Sequence, residues 1–108
     1  QIRDVLEMIE CDTNASPKTI FCDGGPTRNG FLMQFTADVT GLELIVSNVP
    51  ESSALGAAMA GMLGLGIQPT FSDLASLPRE TLTYQPQMTA TNANQFYQGW
   101  KQAVDRLL

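Results

Sequence analysis

The feature that most constrains this chain is the passage between residues 19 and 41, from a β-prone run through a glycine loop into a helix. Thr19-Ile20-Phe21-Cys22 is short and apolar, and it stops at Asp23-Gly24-Gly25. That is the pattern of a buried strand ending at a tight loop. Beyond the loop, Phe31, Leu32, Phe35 and Val39 recur at helical spacing, and Gly41 supplies a C-terminal stop. A strand that hands its C-terminal end to a glycine loop and a helix is a unit of α/β folds. Ligands of open α/β sheets sit at that end of the strands.

The flanking sequence continues the alternation. Gln1 to Glu10 predicts a helix with Ile2, Val5, Leu6 and Ile9 on one face. No capping signal precedes it, so upstream sequence is expected. Cys11 to Lys18 reads as a turn-rich loop, and Leu42 to Val46 as a second strand. Ser47 to Glu51, with Pro50, is a loop, after which Ser52 or Ser53 caps a third helix running to about Leu65. In that helix Gly56, Ala60 and Gly64 lie four apart, as do Ala57 and Gly61. A helical glycine costs about 1 kcal/mol relative to alanine, so the stripe predicts close packing against another backbone. Ser72 to Leu77 predicts a short helix and Leu82 to Tyr84 an edge strand next to Pro86. A closing helix is expected over 92–108, with Phe96, Trp100, Val104 and Leu107 on its buried face. The fold class is therefore α/β, a short, mostly parallel sheet packed with helices. Two full strands make too small a sheet to stand alone, so partner strands are expected in sequence outside this chain.

Composition narrows the function. Of 108 residues 44% are apolar and 16% charged, the balance of a globular chain, and the net charge is −5. Without a Lys/Arg cluster there is no basic face to neutralise nucleic-acid phosphates or an anionic membrane. The longest apolar run, Ala54 to Ile67, is too short and glycine-rich to span a bilayer. Histidine is absent, which removes His-based catalysis, and Cys11 and Cys22 are too far apart for a CxxC motif. Two thiols of this kind predict reduced cysteines and a cytoplasmic protein. The sequence sets no oligomeric state, and a homo-oligomer is left open.

The segment that carries chemistry is Asp23-Gly24-Gly25-Pro26-Thr27-Arg28-Asn29-Gly30. Glycines let a phosphate or ribose approach the main chain, and the following helix start favours an anion. The dinucleotide fingerprint GxGxxG is absent, because the glycines are adjacent. Gly25 and Gly30 have the P-loop separation, but Phe31 and Leu32 stand where Lys and Ser/Thr belong. Taken alone, the pair could equally be an ordinary turn.

Asp23 to Phe35, reading DGGPTRNGFLMQF, resembles the C-terminal-domain motif of the FGGY carbohydrate kinases, and its DGG, Asn and FLMQF elements are closest to the glycerol kinase branch. Glu51 to Ala58 is similar to the family's E-x-T-A-L-G-A-A segment, and Tyr97 to Arg106 to its closing Y-x-x-W-K-x-A-V-x-R helix. The resemblance implies part of a ribonuclease H-like domain of the actin-like ATPase superfamily, with residues 1–108 forming the C-terminal part of the second of two domains. It implies ATP with Mg2+, and transfer of the γ-phosphoryl group to a hydroxyl of glycerol, another polyol or a ketopentose. It places Gly25 and Asn29 on the ADP moiety, with Gly24 shaping the loop. The sugar site and the catalytic Asp base lie upstream in the family, so no catalytic residue and no metal ligand is expected here, and Asp23 and Glu51 are expected to be structural. The other readings are a non-catalytic nucleotide- or sugar-binding regulator of the same fold and an unrelated α/β interaction module.

Overall fold

A computed structural model describes residues 1–48 and 52–107. Pro50, Glu51 and the final position, Leu108, lie outside the described residues. The elements are α1 (Ile2–Thr13), β1 (Thr19–Cys22), a 3-10 turn (Gly25–Arg28), α2 (Gly30–Thr40), β2 (Glu43–Ser47), α3 (Ser52–Gly64), α4 (Phe71–Ala75), β3 (Thr81–Tyr84) and α5 (Ala90–Asp105). No helix among the described residues is long and apolar enough to cross a membrane.

The sheet has the order β1-β2-β3. β1 and β2 are parallel, with Ile20 opposite Leu44 and Cys22 opposite Val46. β3 runs antiparallel along the other side of β2, placing Tyr84 opposite Leu44 and Leu82 opposite Val46. The helical crossover through α2 makes the first pairing parallel, and the edge strand beside Pro86 adds the antiparallel one. Because strand side chains alternate between faces, Ile20, Leu44 and Tyr84 share one face with Cys22 and Val46. There α2 docks through Met33 and Ala37, forming the core with Leu44 and Val46. α1 and α5 pack on the outer side of α2.

Local chemistry sets the helix ends. Asn14 adopts φ 53°, and its N–H returns to the Glu10 carbonyl. Asparagine tolerates this left-handed cap, so α1 runs three residues past the expected end at Glu10. Gly41 closes α2 the same way at φ 72°. Thr89 accepts a hydrogen bond from the Asn92 amide and starts α5 two residues earlier than expected. Thr70 caps α4 in the same manner.

The buried faces of two helices differ from the sequence reading. On α2 the expected face was Phe31, Leu32, Phe35 and Val39, but Met33 and Ala37 meet the sheet while Phe31 stays exposed. Ala37 lets the helix lie close, and the aromatic side turns outward. There Phe35 stacks on Phe31 at 6.0 Å and meets Phe96 edge-on at 5.5 Å. On α5 the buried residues are Ala93 and Tyr97, with Phe96, Trp100 and Leu107 exposed to differing degrees. Burial follows Tyr97 because polar groups of α1 hold its ring and hydroxyl. The small-residue stripe of α3 packs on nothing among the described residues: a Cβ built at Gly56, Gly61 or Gly64 meets no atom within 4 Å.

Candidate functional site

The glycine loop is held by its own hydrogen bonds. The Gly24 carbonyl accepts from the Thr27 amide at 3.1 Å and from its hydroxyl at 2.6 Å. The Asn29 amide donates to the Pro26 carbonyl at 3.1 Å. Gly24 itself sits at φ 89°, ψ −177°, a region open in practice only to glycine. Its conformation turns the chain from the end of β1 into the 3-10 turn. Neither the Gly24 nor the Gly25 amide donates to an acceptor among the described residues.

Beside this loop lies an open pocket of about 310 Å³. Gly24, Gly25, Thr27 and Arg28 form one wall. Opposite stand Ser47 and Asn48 at the end of β2, with Val46, Leu82 and Tyr84 below. The pocket thus occupies the C-terminal ends of the two parallel strands, where an α/β sheet binds its ligands. Gly30 opens the helix side, since a Cβ there would stand 3.4 Å from the Tyr84 hydroxyl. Asn48 is steadied at the rim by its Nδ2, which donates to Glu80 Oε2 at 3.0 Å.

Gly24 and Gly25 therefore lie on the pocket wall. Asn29 stands one step behind it, as the N-cap of α2, its Oδ1 accepting from the Leu32 amide at 3.1 Å. The side chain's Nδ2 remains as a donor. Asp23 lines a separate cleft on the opposite face of the sheet, near Phe21 and Ile45. Next to it, burial pushes the Cys22 thiol upward, and the Asp23 charge adds to the shift. Both cysteines are free. The sequence reading missed Thr27, Arg28, Ser47, Asn48, Leu82 and Tyr84. Ser47 and Asn48 were within reach of inference, because they follow the second parallel strand as Asp23-Gly24 follows the first.

The described residues do not fit an Mg2+ site. Among the described residues no group of three His, Cys, Asp or Glu converges, and the pocket wall carries no carboxylate. Oxygen ligands of that type are what the ion takes from a protein.

The geometry defines an α/β chain with a glycine loop and a pocket at the ends of its parallel strands, and comparison with known proteins identifies its class. A model described as the FGGY family of carbohydrate kinases, C-terminal domain, matches residues 1–65. The chain belongs to this family. More particularly, its relatives are glycerol kinases. It is 40% identical to glycerol kinase 1 of Thermotoga maritima and 33% identical to glycerol kinase of Saccharolobus islandicus, in both cases over 100% of this chain and 22% of the relative. The crystal structure of Plasmodium falciparum glycerol kinase with ADP matches with a TM-score of 0.84 at 27% identity, over 99% of this chain and 22% of that one. The expected ribonuclease H-like, actin-like ATPase architecture is thereby borne out, and the reading as an unrelated interaction module is overturned. The chain spans about a fifth of the length of these relatives.

Proposed function

We propose that this chain is the nucleotide-binding, C-terminal part of the second domain of an ATP-dependent polyol kinase, with glycerol or a related polyol as acceptor and a ketopentose as the second choice. The observation that carries the reading is the pocket at the ends of β1 and β2, walled by Gly24 and Gly25 with their amides unengaged. In this reading phosphate oxygens of ATP or ADP accept from those amides. Asn29 Nδ2 donates to the nucleotide while its Oδ1 holds the helix cap. Val46 and Leu82 give the purine an apolar floor. The names of the relatives and the wording of the DGG and FLMQF elements favour glycerol. No observation favours a non-catalytic regulator. Free Cys11 and Cys22 suit the reducing cytoplasm.

In the reaction the acceptor hydroxyl oxygen bonds to the γ-phosphorus, the bond from that phosphorus to the ADP leaving oxygen breaks, and the hydroxyl proton passes to a base. That base lies outside this chain. Catalysis of this type rests on positioning and charge stabilisation, and the share of this chain is to bind and orient the nucleotide.

Gly25→Val tests the reading in the complete polypeptide. A Cβ at Gly25 meets nothing within 4 Å and its backbone lies outside the left-handed region, so the fold has room for the added side chain. If ADP occupies the pocket, the isopropyl group collides with it. Calorimetry should show ADP affinity falling about tenfold or more, the equivalent of roughly 1–3 kcal/mol of steric conflict, with an unchanged melting temperature. Undiminished ADP binding by the variant would refute the assignment.

A further inference from the structure

Among the described residues every side chain on the pocket wall is neutral except one. Among the lining residues Arg28 alone is charged. It is exposed, and it makes no hydrogen bond or ion pair among the described residues. The chain has only 6 Lys and Arg against 11 Asp and Glu. Asp23, the nearest carboxylate in sequence, lines the cleft on the other face of the sheet rather than this pocket. A guanidinium without a partner among the described residues of an acidic chain is thus set beside backbone amides that have no acceptor among them.

We propose that Arg28 is the counter-charge for the nucleotide's phosphates and a determinant of the preference for phosphorylated over unphosphorylated nucleoside. The inference rests on the reading of this pocket as the nucleotide site and adds a residue and a ligand feature to it. Arg28 closes the 3-10 turn that Gly25 opens. At a rise of about 2.0 Å per residue the two are roughly 6 Å apart along the turn axis, within the span of an extended arginine side chain. Its fork can therefore fold back over an anion resting on the Gly24 and Gly25 amides. Guanidinium groups pair with phosphate through two parallel N–H donors. A P-loop would use a lysine after its last glycine, and Phe31 and Leu32 occupy that place here. Arg28 supplies the cation from within the loop instead.

The experiment is calorimetry on the complete polypeptide with ADP and with adenosine, each at low and high salt, for wild type, Arg28→Ala and Arg28→Lys. Arg28→Ala is expected to weaken ADP about tenfold or more, to leave adenosine within about twofold, and to flatten the salt dependence of ADP binding. Arg28→Lys is expected to restore part of the ADP affinity and the salt dependence. A guanidinium serving only the solvated surface would leave all four affinities unchanged, which overturns the proposal. Equal loss for ADP and adenosine also overturns it, because that is the result of stacking on the base or of a reshaped loop. If Gly25→Val abolishes ADP binding while Arg28→Ala does not, the pocket assignment stands and this inference alone falls. If wild type binds neither ligand, both fall.

Discussion

In the proposed function Asn29 has two roles with one amide: its oxygen caps α2 through the Leu32 amide, and its nitrogen donates to the nucleotide. The two roles separate by substitution. Asn29→Ser keeps a capping oxygen and removes the amide nitrogen, so ADP affinity should drop while thermal stability holds. Asn29→Ala removes both and should also cost about 1 kcal/mol of stability, measured by denaturant unfolding. Equal stability of the two variants would contradict the cap role. At this scale the sequence was informative where a residue acts through its own backbone or its immediate neighbours. Gly24 and Gly25 were legible as a tight loop, because loop chemistry is local, and they line the pocket, whereas Asn29 stands off the lining as the cap of α2. Arg28 was visible as part of the motif but silent, since nothing in one dimension says which way it faces. Leu82 and Tyr84 reach the pocket only through the antiparallel register that sets Leu82 against Val46, and pairing register is not written in spacing.

At the scale of elements, α1 and α5 are joined by a polar clasp. Tyr97 Oη lies 2.7 Å from Asp4 Oδ1 and 2.8 Å from Glu7 Oε2, and its one hydrogen serves one carboxylate at a time. Trp100 Nε1 donates to Asp4 Oδ2 at 2.7 Å, and the Arg3 guanidinium lies 4.2 Å from the Tyr97 ring centroid. Arg3 also donates to Glu7, to the Val39 carbonyl of α2 and to Asn94. The Tyr97 hydroxyl, and after it the Trp100 indole, hold the Asp4 carboxyl down at about 2. The Tyr97 hydroxyl likewise lowers Glu7. A carboxyl depressed in the folded state stabilises the fold above its ordinary pKa and loses that contribution as pH falls. The clasp should therefore loosen as pH drops from 3.8 towards about 2, followed by Trp100 fluorescence. Asp4→Asn should flatten the response in that window. This clasp explains why the α5 face was misread. Hydrophobic spacing selected Phe96 and Trp100, whereas Tyr97 is buried because Asp4 and Glu7 meet its hydroxyl and Arg3 and Lys101 lie over its ring. A second tether was equally hidden: burial pushes the Asp38 carboxyl up, but the Gln87 and Met88 amides and the Gln34 side chain donate to it and hold it below its ordinary range. It pins the β3–α5 connection onto α2.

For the whole molecule, surface area tells more than any single contact. The chain exposes 7764 Å², where a self-contained monomer of 11.7 kDa would expose roughly 5,900 Å². Its radius of gyration is 17.5 Å, against roughly 13 Å for a compact domain of this length. Large apolar side chains are among the exposed ones: Phe21 on the edge strand β1 is 80% exposed, Leu65 79% and Phe71 81%. The alternation of strands and helices was legible as local periodicity. How the faces would be shared out was not, because spacing does not say which side of a helix stays open: a Cβ at Gly56, Gly61 or Gly64 of α3 meets no atom within 4 Å. Expressed alone, the 108-residue chain should bind apolar dyes, self-associate by light scattering and transfer no phosphoryl group from ATP to glycerol. A dispersed, dye-silent segment would contradict this. The pocket wall has its own implication for mutagenesis. At Gly24, Gly25 and Gly30 it is shaped by atoms that these residues lack, so trimming side chains to alanine passes over those three positions, and only substitutions that add bulk can probe them.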